Sequence, residues 1–261
     1  MPGDSLQVPG ARLAWETTGE GPPCVLIPAG VADIRMWDPV LASLEAEHQV
    51  VRVDPRGFGA SELLGSDAFR PVDDLAAVLD HLGLERVALV GASFGGQVAL
   101  ELAALQPERV AALALLSPAL PDHEPSPRLR AHEEREEAAW EAGDIDALVA
   151  QSLATWTRAP GAVHDVAEAL RHALPAQLAL DPEELSLDPP VSERLDAVTC
   201  PVLVAAGESD LEDFPAIARR LATALPDARL ELMPGAAHLL PLERPEETAA
   251  LLAEFLRDAG W

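Results

Sequence analysis

The residues of this chain best suited to covalent chemistry are a serine, a histidine and an acid far apart in sequence. Gly91-Ala92-Ser93-Phe94-Gly95 spells G-x-S-x-G between the apolar run RVALVGA and the helix-forming run FGGQVALELAAL. A serine hydroxyl is a poor nucleophile at neutral pH and attacks a carbonyl only when a neighbouring base takes its proton. A sharp strand-to-helix turn presents that hydroxyl clear of the sheet. The small residues two before and two after it let strand and helix approach closely, and the helix N-terminus favours negative charge beside it. His238 is the candidate base and Asp210 the candidate acid that holds its tautomer.

The elements that must position these residues follow from the hydrophobic pattern. Apolar runs at Arg12–Thr17, Cys24–Pro28, Gln49–Asp54, Arg86–Gly91, Val110–Ser117, Cys200–Gly207 and Arg229–Met233 read as strands. The middle ones lack polar alternation, as expected of parallel strands covered on both faces. Helical segments are expected at Met36–Glu47, Asp73–Gly83, Phe94–Leu105, Pro215–Leu225 and Pro245–Ala259. The alternation predicts an α/β fold with a doubly wound, mostly parallel sheet. The rhythm breaks between Pro118 and Asp196. A Pro-rich stretch is followed there by HEEREE (His132–Glu137) and by amphipathic segments at Ala147–Trp156 and Val163–Leu174. This region is expected to be a helical cap, with the acidic run as its solvated face.

Asp210 follows the strand CPVLVAAG and His238 follows the strand RLELM, so both leave the sheet edge that carries Ser93. Glu208, Glu212 and Asp213 compete with Asp210 for its role. Of seven histidines, His238 alone lies in a late strand-to-helix loop. His48 and His81 sit late in helices, where cap or surface roles suit them. His123, His132, His164 and His172 fall in the inserted region and are expected to be exposed.

Together these residues resemble the α/β-hydrolase superfamily. Besides GASFGG, the likeness includes DPRGFGAS (Asp54–Ser61) and PGAAHLLPLERPEE (Pro234–Glu247), in the superfamily's order and spacing. The resemblance implies an α/β-hydrolase fold of about eight strands, with a core over residues 1–117 and 197–261 and a cap over 118–196. Within the superfamily the chain is similar to the small-cap group of carboxylesterases, enol-lactonases, carbon–carbon bond hydrolases and cofactor-free perhydrolases. The implied oxyanion donors are the backbone N–H of Phe94 and one from Pro28–Asp33, where relatives usually carry His-Gly and this chain has Pro28-Ala29. Proline has no N–H, so Gly30 is assigned, with Ala29 and Val31 as alternatives. Asp54, Arg56 and Gly57 are expected to stabilise a turn, and Arg35 and Trp37 to pack at a helix start. Trp156 is the candidate for a substrate pocket, with an ordinary cap-to-core contact as an equal alternative.

The implied reaction is hydrolysis of a carboxylic ester or lactone by a serine hydrolase. Carbon–carbon bond hydrolysis or perhydrolysis on the same triad, and a low-turnover ligand-binding role, stand as alternatives. No cofactor and no metal are expected, because neither a dinucleotide glycine fingerprint nor a metal-ligand cluster is evident. The formal net charge of -26 argues against nucleic acid or anionic membrane as partners and leaves a small molecule. The first ten residues, MPGDSLQVPG, lack a basic and an apolar region, and no window approaches the length of a membrane span. Cys24 and Cys200 open strand-like runs and read as buried thiols. A cytoplasmic location is the expectation.

Overall fold

The computed structural model describes residues 4–261; residues 1–3, the start of the expected core range, lie outside it. In chain order the elements are β1 (Asp4–Val8), β2 (Ala11–Thr18), β3 (Pro23–Ile27), α1 (Asp38–Glu45), β4 (Gln49–Val53), β5 (Glu62–Leu63), α2 (Pro71–His81), β6 (Val87–Ala92) and α3 (Phe94–Leu105). Then come β7 (Val110–Leu116), α4 (Pro127–Glu141), α5 (Ile145–Trp156), α6 (Pro160–Leu180), β8 (Val202–Gly207), α7 (Asp213–Ala224), β9 (Ala228–Met233), α8 (Leu240–Glu243) and α9 (Pro245–Asp258).

Nine strands form one sheet in the order β1-β2-β4-β3-β6-β7-β8-β9, with β5 paired to β2. β2 pairs antiparallel with β1, β4 and β5, and every pairing from β4 to β9 is parallel. β6, β7 and β8 are buried at every position, which explains their unbroken apolar sequences. Alternate side chains feed two cores. Val25, Ile27, Val87 and Leu89 pack with α2, α3 and α7. Cys24, Leu26, Ala88 and Val90 pack with α1, α9 and the inserted helices.

β1 and β5 are strands that apolar content did not announce, because both lie at the antiparallel margin and are largely exposed. The expected helix Met36–Glu47 divides into a 3₁₀ turn over Ile34–Trp37 and α1, with Pro39 in the first turn of α1. α6 runs past Leu174, through Pro175, to Leu180.

The chain proceeds from β3 to β4 on one side and returns to β6 on the other. This switch point opens a crevice at the carboxyl ends of β3 and β6. α4, α5 and α6 all lie between β7 and β8 in sequence. No helix among the described residues is long and apolar enough to cross a membrane.

Candidate active site

Ser93 follows β6 with φ of 50° and ψ of -115°, a backbone state costly for a residue with a side chain. Its surroundings over-determine it. The Ser93 N–H donates to Leu116 O at 2.9 Å, and Ser93 O accepts from Ala119 N at 3.0 Å and Gln97 N at 3.1 Å. The flanking glycines are steric requirements. A Cβ on Gly91 would lie 2.2 Å from Gly95 O, and one on Gly95 would lie 2.2 Å from Ile27 O. Both obstacles are backbone atoms that cannot swing away, so strand, turn and helix meet only without these side chains.

His238 lies in the loop after β9. Its Nε2 is 2.9 Å from Ser93 Oγ and its Nδ1 is 2.8 Å from Asp210 Oδ2. The other oxygen of Asp210 accepts from the Leu211 N–H at 2.7 Å. The side chains of His238 and Asp210 are 3% and 1% exposed, so their pairing is shielded from water. The two loops are also bonded to each other, Ser209 N donating to Ala236 O at 2.8 Å. Gly207 permits this approach, since a Cβ there would meet Ala237 O at 2.2 Å.

The competing acids are placed elsewhere. Glu208 is exposed. Glu212 pairs with Arg128 at 3.0 Å. Asp213 accepts from Ser126 Oγ at 2.6 Å and Ser126 N at 2.7 Å, with His123 Nε2 at 3.1 Å. Its carboxyl is held below the usual range by these hydrogen bonds, although burial opposes them.

The sequence reading missed Glu243. Its Oε2 accepts from Ala237 N at 2.7 Å and its Oε1 from Leu239 N at 3.3 Å, clasping both amides that flank His238. The spacing of Glu243 five residues after His238, at the end of the short helix α8, was the available signal.

At the end of β3, the Ala29 N–H is 3.3 Å from Met36 Sδ and is occupied by it. Among the described residues, no backbone carbonyl accepts from the N–H of Gly30, Val31 or Phe94. Gly30 lies close to Phe94, a Cβ on it standing 3.4 Å from Phe94 Cβ. Two cavities open beside these groups. One, of about 300 Å³, is lined by Gly30, Phe94, Ile27, Leu75, Val98 and other residues of the β4–α2 side. A second, of about 470 Å³, lies under α4, α5 and α6 and is lined by Val31, Trp140 and Leu148 together with the carboxylates Glu133, Glu136 and Glu137 of α4. Gly30, Phe58, Trp140 and Gln177 border both.

Trp156 lines neither of these cavities. Its ring lies on His238, and Trp140 is the cavity tryptophan of the insertion. The expectation that the histidines of the insertion are exposed needs correcting for two of them. His132 is buried and packs edge-on against Trp156, and His123 is half-buried against Asp213. His164 and His172 are exposed. Position 132 is buried on α4 while Glu133, Glu134 and Glu137 are exposed, and Glu133, Glu136 and Glu137 border the second cavity.

The turn after β4 is a hydrogen-bonded network. Asp54 accepts from Ile34 N at 2.9 Å and Ala60 N at 2.8 Å. Burial pushes its carboxyl up to about 6 in spite of those two donors. Arg56 grips Asp74 through two bonds of 2.8 and 2.7 Å and lies over the Phe69 ring. Trp37 is fully buried, and Arg35 pairs with Asp33 at 2.7 Å. Burial also raises the Cys24 thiol to about 12 and the Cys200 thiol to about 11, which leaves both inert as nucleophiles.

An alcohol, an imidazole and a carboxylate in series, beside two unengaged backbone amides and an apolar cavity, can carry acyl transfer. Known proteins share the sequence pattern and the fold. A family model described as the alpha/beta hydrolase family matches residues 24–251. The chain is 30% identical over 252 residues to a putative carbamate hydrolase of a Caulobacter species, covering 89% of this chain and 90% of that protein. The enol-lactonase of Burkholderia xenovorans superimposes with a TM-score of 0.81 at 25% identity, covering 97% of this chain and 100% of that one. A thermophilic esterase of Thermogutta terrifontis gives a TM-score of 0.76 at 26% identity, covering 98% and 97%.

Proposed function

The chain belongs to the alpha/beta hydrolase family, and from that premise we propose that it hydrolyses carboxylic esters or lactones through an acyl-enzyme on Ser93. The observation that carries this reading is the unbroken series Ser93 Oγ, His238 and Asp210, with contacts of 2.9 and 2.8 Å.

In this reading Ser93 Oγ attacks the substrate carbonyl while His238 Nε2 takes its proton. The tetrahedral oxyanion accepts hydrogen bonds from the N–H groups of Phe94 and Gly30. As the intermediate collapses, His238 gives the proton to the departing alcohol oxygen. A water then attacks the acyl-enzyme, losing its proton to His238, and the acid leaves as Ser93 regains its hydrogen. Asp210 stays ionised throughout and stabilises the imidazolium. No step requires a metal or an organic cofactor.

The cavity of about 300 Å³ beside Phe94 suits an apolar acyl group. Helices α4, α5 and α6, within residues 118–196, act as a cap over the larger cavity, which admits the alcohol side. The substrate is a small molecule. The names carried by the lactonase and the esterase support a carbonyl substrate of this kind, and the putative carbamate hydrolase adds carbamates to the compounds worth testing.

A fluorophosphonate probe tests the proposal. It should label the wild-type protein at Ser93, and Ser93→Ala should lose both the label and at least about 10³-fold of kcat on a short chromogenic ester. A folded wild-type protein that resists the probe and cleaves nothing in a panel of esters, lactones and carbamates would overturn it.

A further inference from the structure

The His238 ring touches more than an alcohol and a carboxylate. The indole of Trp156, the last residue of α5, lies on it with centroids 4.5 Å apart and planes inclined by 41°. Phe214 of α7 approaches the same ring at 4.2 Å and 63°. Trp156 and Phe214 meet edge-on at 5.5 Å, and His132 of α4 backs the indole at 4.9 Å. His132 Nδ1 is itself 3.1 Å from Thr155 Oγ1. All four rings are buried.

We propose that Trp156 is a positioning residue for His238, its π face holding the ring in place and favouring the imidazolium formed when that ring takes the Ser93 proton. This rests on the triad reading above. An aromatic face attracts a cation within about 6 Å of its centroid, and more strongly where water is excluded. The neutral ring gains only packing from the same contact. The interaction therefore strengthens as positive charge develops, and it lowers the barrier more than it tightens substrate binding. Since Trp156 belongs to α5, the inserted helices complete the base as well as covering the substrate.

The other ionisable groups packed around His238 do not duplicate this role. Asp210 holds Nδ1. Asp213 on α7 spends its oxygens on Ser126 and His123. Glu243 spends its own on the amides of residues 237 and 239. His132 stands behind the indole with Glu136 Oε2 at 3.8 Å, and burial lowers its pKa, which disfavours a second cation there.

Trp156→Leu keeps an apolar cover and removes the π face; Trp156→Phe keeps a smaller one. The Leu variant should lose about three- to tenfold in kcat with KM within about twofold, the range expected of one buried cation–π contact. The acid limb of its kcat/KM profile should move to lower pH by about half a unit, because a ring without its cation stabiliser loses the proton sooner. The Phe variant should recover most of both effects. Should the Leu variant not fold, the fluorescence difference between wild type and Trp156→Phe, which should change through the pH of the acid limb as the imidazolium quenches the indole, carries the test. An unmoved acid limb in a folded Leu variant, or a pH-independent fluorescence difference, overturns the proposal. Failure of the triad reading looks different, because then the wild-type protein itself resists the fluorophosphonate probe.

Discussion

Replacing Asp210 by Asn separates charge from shape at the proposed active site. In the native pose Oδ1 accepts from the Leu211 N–H at 2.7 Å and Oδ2 faces His238 Nδ1 at 2.8 Å. An asparagine must leave its carbonyl on the Leu211 amide. The reverse rotamer sets an NH2 against that N–H and leaves a buried donor unpaired, costing about 1–3 kcal/mol. The retained pose then points the NH2 at Nδ1, which can accept only when it carries no proton. The single proton of the neutral ring moves to Nε2, the atom 2.9 Å from Ser93 Oγ. A protonated Nε2 cannot act as base, so kcat should fall by about 10³–10⁴-fold, or roughly 4–5.5 kcal/mol of barrier. KM should stay within about threefold, because Asp210 borders neither cavity. Steady-state hydrolysis of a short nitrophenyl ester reads both constants, and a thermal melt checks that the variant is folded. Glu208→Gln and Glu212→Gln are the controls and should keep at least about a third of wild-type kcat. A folded Asp210→Asn protein with more than about a tenth of wild-type kcat refutes the assignment of the orienting acid.

Two further outcomes follow from the packing. Gly95→Ala drives a Cβ to 2.2 Å from Ile27 O and 2.6 Å from Pro28 O, so β3 and α3 must separate, and thermal denaturation should show a loss of about 3 kcal/mol or a failure to fold. Gly30→Ala meets the Phe94 side chain at ordinary contact distances, Cβ at 3.4 Å and Cγ at 3.7 Å, and should stay within about 1 kcal/mol of wild type in the same melt. Asp54 gives a pH-dependent outcome. Its folded-state carboxyl, pushed up to about 6, holds a proton more tightly than the unfolded chain, so its contribution is most favourable below about pH 4 and declines as pH rises through 6. Urea titrations of wild type and Asp54→Asn at pH 5 and pH 7.5 should therefore show the difference moving in favour of Asn by about 1 kcal/mol, and a difference independent of pH would contradict the buried, raised carboxyl.

Much of this protein is written locally. The runs that became β6, β7 and β8 are apolar at nearly every position because both faces of those strands are covered, and this is visible without coordinates. G-x-S-x-G carries its own reason, since Gly91 and Gly95 stand where backbone atoms leave no room for a side chain. The chain order of Ser93, Asp210 and His238 is equally readable, because each follows a strand that runs in the same direction. What required the tertiary structure is everything decided by contact between distant loops. Glu208, Glu212 and Asp213 have the same charge as Asp210, and only the packing of the β8 and β9 loops decides which carboxylate stands beside His238. Composition made the inserted histidines look solvated, yet the face of α4 that meets α5 buries His132. The same packing decides between the two roles open to Trp156, a pocket wall or a cap-to-core contact, by setting its ring on the face of His238. Local sequence sets which element forms and where it turns, because those depend on backbone sterics and on which faces are apolar. Which side chain meets which across the fold depends on how helices and loops close over the sheet, a property of the whole chain at once.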